Sequence, residues 1–206
     1  MKKLPGILLL CLLCNILTAQ VHTAIKAGGL ISSLHHKGTT SDPARVGYYA
    51  GIVAGIDLKN NFFIQPGCLY ALRGYSFSAI GNNSKGRVGY GYITVPVLAG
   101  YKPSKKIALL LGPDFGYMLY ANSHFNSSNV NIINNIGHRF NLDISAGMAW
   151  SATSDLALEA RFNWGLTGLY KGITTDQNGT PTGTIRDGFH RVLHIGVVYN
   201  VSGRKK

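Results

Sequence analysis

The feature that most constrains this chain is an alternation. In LALEARFNWGL, residues 156–166, every second residue is apolar: Leu156, Leu158, Ala160, Phe162, Trp164 and Leu166. Between them stand Ala157, Glu159, Arg161, Asn163 and Gly165. A period of two places successive side chains on opposite faces of a β-strand. The pattern recurs in 139–151, where Phe140, Leu142, Ile144, Ala146, Met148 and Trp150 share one face and Arg139, Asn141, Asp143, Ser145, Gly147 and Ala149 the other. It recurs again in 47–58, with Tyr48, Ala50, Ile52, Ala54, Ile56 and Leu58 against Gly47, Tyr49, Gly51, Val53, Gly55 and Asp57. The less apolar faces are rich in glycine and small residues, with an occasional charge. A wall facing bulk water would carry more Lys, Glu and Thr. The interior of a narrow barrel needs small residues and paired charges, because eight strands leave room only for side chains. The apolar faces then turn outward, so Leu156, Phe162 and Trp164 are expected to face lipid and Glu159 and Arg161 to point inward.

Eight segments carry this strand character: 21–34, 47–58, 62–77, 89–101, 107–120, 139–151, 156–170 and 189–201. After Gln20 no window shows the 3.6-residue period of a helix. The connections alternate in length. Residues 59–61, 102–106 and 152–155 are short and carry the Asn, Pro, Ser and Asp of tight turns. Residues 35–46, 78–88, 121–138 and 171–188 are long and polar. An even number of strands puts both termini with the short turns and all the long loops at the other end, the arrangement of a bacterial outer-membrane barrel. The segments also exceed the roughly 9–11 residues that a tilted transmembrane strand needs. The expected fold is all-β: an eight-stranded antiparallel transmembrane β-barrel with short periplasmic turns and long outer loops.

The N-terminus points to export. Lys2 and Lys3 precede an apolar run, 4–17, that ends in Thr18-Ala19-Gln20. A charged start, a short apolar stretch and a small residue at the cut describe a secretory signal peptide, assigned to residues 1–19 with the barrel domain at 20–206. Cys11 and Cys14 lie inside that stretch, which leaves Cys68 alone in the mature chain and excludes an intrachain disulfide. Only 14% of residues are charged against a typical share of roughly 25%, and with 26 Gly and 11 Tyr this points away from disorder and away from a helical bundle. The formal charge of +12 does not indicate nucleic acid, since no basic run is longer than Arg204-Lys205-Lys206.

In order and spacing, FFIQPGCLYALRGYSF, YITVPVLAGYK, LLLGPDFGYML, LALEARFNWGLTGL and RVLHIGVVYNV together resemble the PorT-like outer-membrane β-barrel family of Bacteroidota. The resemblance covers nearly all of the mature chain. It implies an accessory role in secretion or envelope maintenance, with outer-membrane lipid and an envelope or secretion protein as partners. Gly67 and Thr94 depart from it, standing where that family often has acids. The end of the chain, 194–201, resembles the polar-x-Gly-x-x-aromatic-x-hydrophobic signal of barrel assembly, with Val201 in place of an aromatic.

Face assignment yields one candidate constellation. Lys26, Asp57, Arg73, Asp114, Asp143, Glu159 and Arg161 point inward as a lumen ion network, together with Gln65, Asn141 and Asn163. Arg139 at the rim brings the count to four positive and four negative. Glu159 and Arg161, two apart on one face, are its expected centre, with Asp143 as a further partner. Such a lumen is expected to be plugged. His190 and His194 are four apart on one strand, about 13 Å, which is too far to share a metal ion. Ser123, His124 and Asp114 are the residues a lipid-modifying hydrolase would use. Neighbours on a strand point to opposite faces, so Ser123 and His124 do not pair directly. Lys37, Arg45, Lys85, Arg87, Lys171 and Arg186 fall at the outer end, where anionic headgroups attract them or water solvates them. The sequence therefore reads as a non-enzymatic, monomeric interaction protein with no cofactor. A lipid-modifying hydrolase and a soluble exported ligand-binding barrel are the alternatives.

Overall fold

A computed structural model describes residues 21–36, 42–78, 85–125, 128–175 and 181–201. The predicted leader, residues 1–19, and the basic tail, 204–206, lie outside the described residues. Nine strands are present among the latter: β1 (Val21–His35), β2 (Arg45–Asp57), β3 (Phe62–Ser78), β4 (Lys85–Tyr101), β5 (Ile107–Phe125), β6 (Ser128–Asn131), β7 (Phe140–Ser151), β8 (Leu156–Thr175) and β9 (Pro181–Asn200). All pair antiparallel. The order β4-β3-β2-β1-β9-β8-β7-β5 closes on itself through β4–β5, so eight strands form a barrel and β6 hangs from β5 as a short outer hairpin.

The strands form where the period-two pattern places them, and the turns form where polar residues interrupt it. Asn60 and Asn61 both adopt the left-handed conformation (φ 59° and 65°), the backbone of a tight hairpin turn whose twist matches its flanking strands. The wall closes where β1 meets β9, in register from Ala24 opposite Asn200 to His35 opposite Phe189. Pro66 and Pro96 cannot donate to a ladder. Pairing breaks beside each: β3–β4 skips from Pro66–Val97 to Leu69–Thr94, and β4–β5 from Pro96–Asp114 to Ala99–Leu111.

The strands overrun the apolar segments at the loop end. β5 continues to Phe125 and β8 to Thr175, while β9 begins at Pro181. Backbone pairing needs no apolar side chain, so polar residues continue the ladder above the apolar belt.

Sidedness follows the alternation. Tyr48, Ile52, Val95, Leu109, Leu111, Tyr117, Phe140, Met148, Trp150, Leu158, Trp164, Leu166 and Ile195 are exposed on the outer wall. Glu159, Arg161 and Asn163, interleaved with Leu158 and Trp164, are buried inside. An apolar belt of this extent outside and a charged core inside is the reverse of a water-soluble barrel, and it suits hydrocarbon as the surrounding solvent.

Candidate functional site

The interior fills in layers. Nearest the turns, Phe63, Leu98 and Leu110 form an apolar floor. Lys102 lies over the Phe63 ring at 4.8 Å and donates to Asp57 Oδ1 at 2.6 Å. His22 Nδ1 stands 3.8 Å from Asp57 Oδ2. Asp57 is thus at the mouth and about a third exposed (34%), not in the inner network where its inward parity put it. It is the last residue of β2, and parity sets the face of a side chain without setting its depth.

Above the floor, Lys26 Nζ donates to Glu159 Oε1 at 2.9 Å, lies 2.7 Å from Oε2, and reaches Gln65 Oε1 at 3.2 Å. Arg161 is not the direct hydrogen-bond partner that its position beside Glu159 predicts. Its Nε is 3.8 Å from Glu159 Oε1, and none of its three nitrogens has a hydrogen-bond partner among the protein groups. Tyr49 and His194 pack edge to face beside this layer, ring centroids 4.9 Å apart.

The next layer centres on Arg73. Its Nη1 donates to Asp143 Oδ2 at 2.8 Å, and Nη2 is 3.8 Å from Asp114 Oδ2. Asn141 Nδ2 donates to the other Asp143 oxygen at 2.6 Å. Asn163 Nδ2 donates to Asp114 Oδ2 at 2.7 Å, and Asn163 Oδ1 accepts from Ser145 Oγ at 2.7 Å. The Arg73 guanidinium also lies 5.2 Å from the Tyr92 ring centroid. Asp143 therefore serves Arg73, across the lumen, and not the Glu159–Arg161 pair. Lys26, Arg73 and Arg161 against Asp114, Asp143 and Glu159 leave the buried charges matched three to three. Arg139 drops out of the count because it is exposed outside the strands.

Toward the loops the interior becomes aromatic. The Tyr170 hydroxyl hydrogen-bonds with those of Tyr90 (2.9 Å) and Tyr75 (3.2 Å). The Tyr92 hydroxyl shares a hydrogen bond with His190 Nε2 at 3.1 Å. Leu34, Val88, Met118 and Leu169 pack around them. Spacing arithmetic treats His190 and His194 only as a metal pair, whereas the structure makes each a buried lumen residue in a different layer. Their inward parity on β9 was the available signal. Among the described residues no three His, Cys, Asp or Glu side chains come together as a metal site.

Beyond the barrel mouth, His36 bridges two segments. Nδ1 is 2.7 Å from Asp187 Oδ2 on β9 and Nε2 is 3.0 Å from Asp42 Oδ2. Burial disfavours its charged form, but the hydrogen bonds and charges of Asp187 and Asp42 outweigh that, so the imidazole pKa lies above its ordinary value.

Ser123 and His124 are not brought together with Asp114. Ser123 pairs with Val88, whose side chain is inside, and His124 with Arg87 on the outer wall. Asp114 is held in the Arg73 layer.

Comparison with known proteins agrees with this geometry. The family described as outer membrane protein beta-barrel domain matches residues 18–171. No curated protein matches the chain. The neisserial surface protein NspA is 12% identical, with 86% of this chain and 96% of that one covered at a TM-score of 0.55. The attachment invasion locus protein Ail of Yersinia pestis, solved with the heparin analogue sucrose octasulfate, is 14% identical, with 87% and 98% covered at 0.50. At these identities the likeness is one of fold.

Proposed function

Because this chain belongs to the outer membrane protein beta-barrel domain family, and its barrel resides in the bacterial outer membrane, we propose that it works there as a non-enzymatic, monomeric interaction protein whose lumen is closed. The observation that carries this reading is the layered packing of the described interior side chains. An apolar floor at Phe63, two layers of buried ion pairs and an aromatic layer at Tyr90, Tyr92 and Tyr170 follow one another along the axis. Side chains tied across the lumen in this way serve shape, not transport. Chemistry is not the favoured role either, since Ser123 and His124 leave the sheet on opposite faces. What remains is the surface at the two ends. The resemblance of the strand segments to PorT-like barrels supports an accessory role in secretion or envelope maintenance, exercised by contact with another envelope protein.

Two measurements test this reading. Planar-bilayer recording of the refolded chain is expected to show no steady unitary conductance, and a reproducible open channel would refute the closed lumen. A photo-crosslinking amino acid at Ser128 or Ser104, activated in native membranes, is expected to give a discrete adduct with an envelope protein. Adducts with lipid alone from both ends would refute the accessory role.

A further inference from the structure

A pocket of about 350 Å³ opens sideways on the outer wall, at the loop end of β3, β4 and β5. Arg45, Leu72, Arg87, Tyr120, Asn122 and His124 line it, with Asn129 of β6 at its edge. It faces away from the lumen: Tyr90 and Val88, which alternate with Gly89 and Arg87 on β4, are the buried interior side chains.

The strand pattern builds this pocket. Gly74 and Gly89 leave the outer wall bare beneath Arg45, whose Cδ would lie 3.1 Å from a Cβ at Gly74 and whose Nη1 would meet one at Gly89. The arginine lies flat in this trough, and Nη1 donates to the Val88 carbonyl at 2.7 Å. That bond spends one nitrogen and fixes the plane of the guanidinium, leaving its other donors for a ligand. Arg87 is exposed beside it, close enough for the two cations to repel each other. Among the described residues no carboxylate lies within ion-pairing distance of either one. Two adjacent guanidinium groups held without an acid partner are an arrangement that an anion stabilises. The amides of Asn122 and Asn129 and the His124 ring supply further polar contacts.

The surroundings identify which anion. Toward the turn end the pocket runs directly into the apolar belt. The Tyr120 ring lies over Gly91, and its hydroxyl is tied to that of Tyr70 at 2.6 Å. Below them Leu119, Tyr117, Val95 and Phe115 are exposed on the same wall. A ligand filling both parts needs an anionic head and hydrocarbon chains, in that order along the barrel axis. Free phosphate would use only the upper part.

We propose that the Arg45–Arg87 pocket binds the phosphate group of an outer-leaflet glycolipid, whose acyl chains lie along Tyr70, Tyr120 and the belt beneath. Arg45 supplies the preorganised planar donor, Arg87 the second charge, and His124, Asn122 and Asn129 the contacts to the sugar. This rests on the reading that the long loops face the cell exterior. Impermeant thiol labelling reads that orientation, whereas the assay below reads the pocket whichever way the barrel points, so the two failures are distinguishable.

The full chain, folded in detergent micelles, is mixed with bisphosphorylated lipid A, with the same lipid after dephosphorylation, or with inorganic phosphate, and retained ligand is counted by native mass spectrometry. One bisphosphorylated lipid is expected per wild-type barrel. Arg87→Gln should weaken retention roughly tenfold, the loss of one charge-assisted hydrogen bond, and Arg45→Gln with Arg87→Gln should abolish it. Arg87 is exposed, so Arg87→Gln carries the test alone if the double variant does not fold. Equal retention by wild type and Arg87→Gln, or equal retention of the dephosphorylated lipid, would overturn the proposal. Displacement of the lipid by equimolar inorganic phosphate would assign the pocket to a free anion and overturn the lipid assignment.

Discussion

Replacing Arg73 by methionine tests the interior most directly. The side chain is fully buried, and it is the direct partner of Asp143 at 2.8 Å, with Asp114 at 3.8 Å. Methionine fills much of the volume but leaves two buried carboxylates facing each other inside the barrel. Breaking a buried pair from one side costs about 3–5 kcal/mol, because the remaining charge is uncompensated. That corresponds to a factor of roughly 10² to 10⁴ in the folding equilibrium. With a urea slope of about 1–3 kcal/mol/M, the midpoint falls by about 1 M or more. Asn141 and Asn163 still donate to the two carboxylates, which places the expectation toward the lower end. Arg161→Met should cost less, about 1–2 kcal/mol. It forfeits no direct hydrogen bond, and Glu159 keeps Lys26. Adding Asp143→Asn to Arg73→Met should restore part of the loss by removing one of the two unmatched charges. The assay is reversible urea unfolding in lipid vesicles followed by tryptophan fluorescence, with the exposed Lys105→Met as control. If Arg73→Met is as stable as Lys105→Met, or if Arg161→Met is the worse of the two, the pairing described here is wrong.

Three further outcomes are expected. In a Cys68→Ser background, a cysteine at Ser128 should react with an impermeant thiol reagent on intact cells, and one at Asn60 or Ser104 only after the envelope is opened; the reverse pattern would invert the orientation. The chain should stay with the membrane through carbonate extraction, and recovery of folded monomer in buffer without detergent would return the soluble-barrel alternative. The third outcome concerns pH. His36 has a raised folded pKa, so its clamp on Asp42 and Asp187 contributes fully below the unfolded value of about 6.5 and is lost as pH rises through the folded one. Protection factors of the Asp42 and Ala44 amides, taken relative to the intrinsic exchange rate at each pH, should therefore be higher in mild acid than in mild alkali, and His36→Gln should remove that difference.

Much of the barrel was legible because lipid outside and a packed lumen inside both act on alternate residues. The run from Leu156 to Leu166 alone separates Leu158 and Trp164 from Glu159 and Arg161. Strand ends at the turns were legible for the same reason, since Asn60 and Asn61 interrupt the pattern where the backbone reverses. The loop ends were not. β5, β8 and β9 continue as paired backbone through polar residues that no pattern distinguishes from loop. The ion pairs were legible as a set but not as partners. Sequence neighbours such as Glu159 and Arg161 invite pairing along a strand. The lumen instead joins Lys26 to Glu159 over the intervening β9 and Arg73 to Asp143 across the barrel, and only the stagger of the closed wall decides which charges share a level. Asp57 shows the same gap, since nothing in its alternation says that it lies at the mouth beside Lys102. The Arg45 pocket depends on which strand neighbours supply bare glycine wall, and that too is a matter of register.

The separation of these ion partners along the chain bears on biogenesis. Lys26 and Glu159 are 133 residues apart, and Arg73 and Asp143 are 70 apart. A half-built sheet entering the bilayer would present Lys26 and Arg73 to hydrocarbon before their acids had arrived, and a charge at the bilayer centre costs about 2.5–3.5 kcal/mol even on permissive scales. Lys26 and Glu159 also sit on β1 and β8, the two neighbours of β9, so their contact cannot form until the last strand has docked. Threading strands into lipid one at a time is therefore the disfavoured route. The sheet has to curl while its charged face is still sheltered, and the closing of the β1–β9 edge and the burial of its charges become one event.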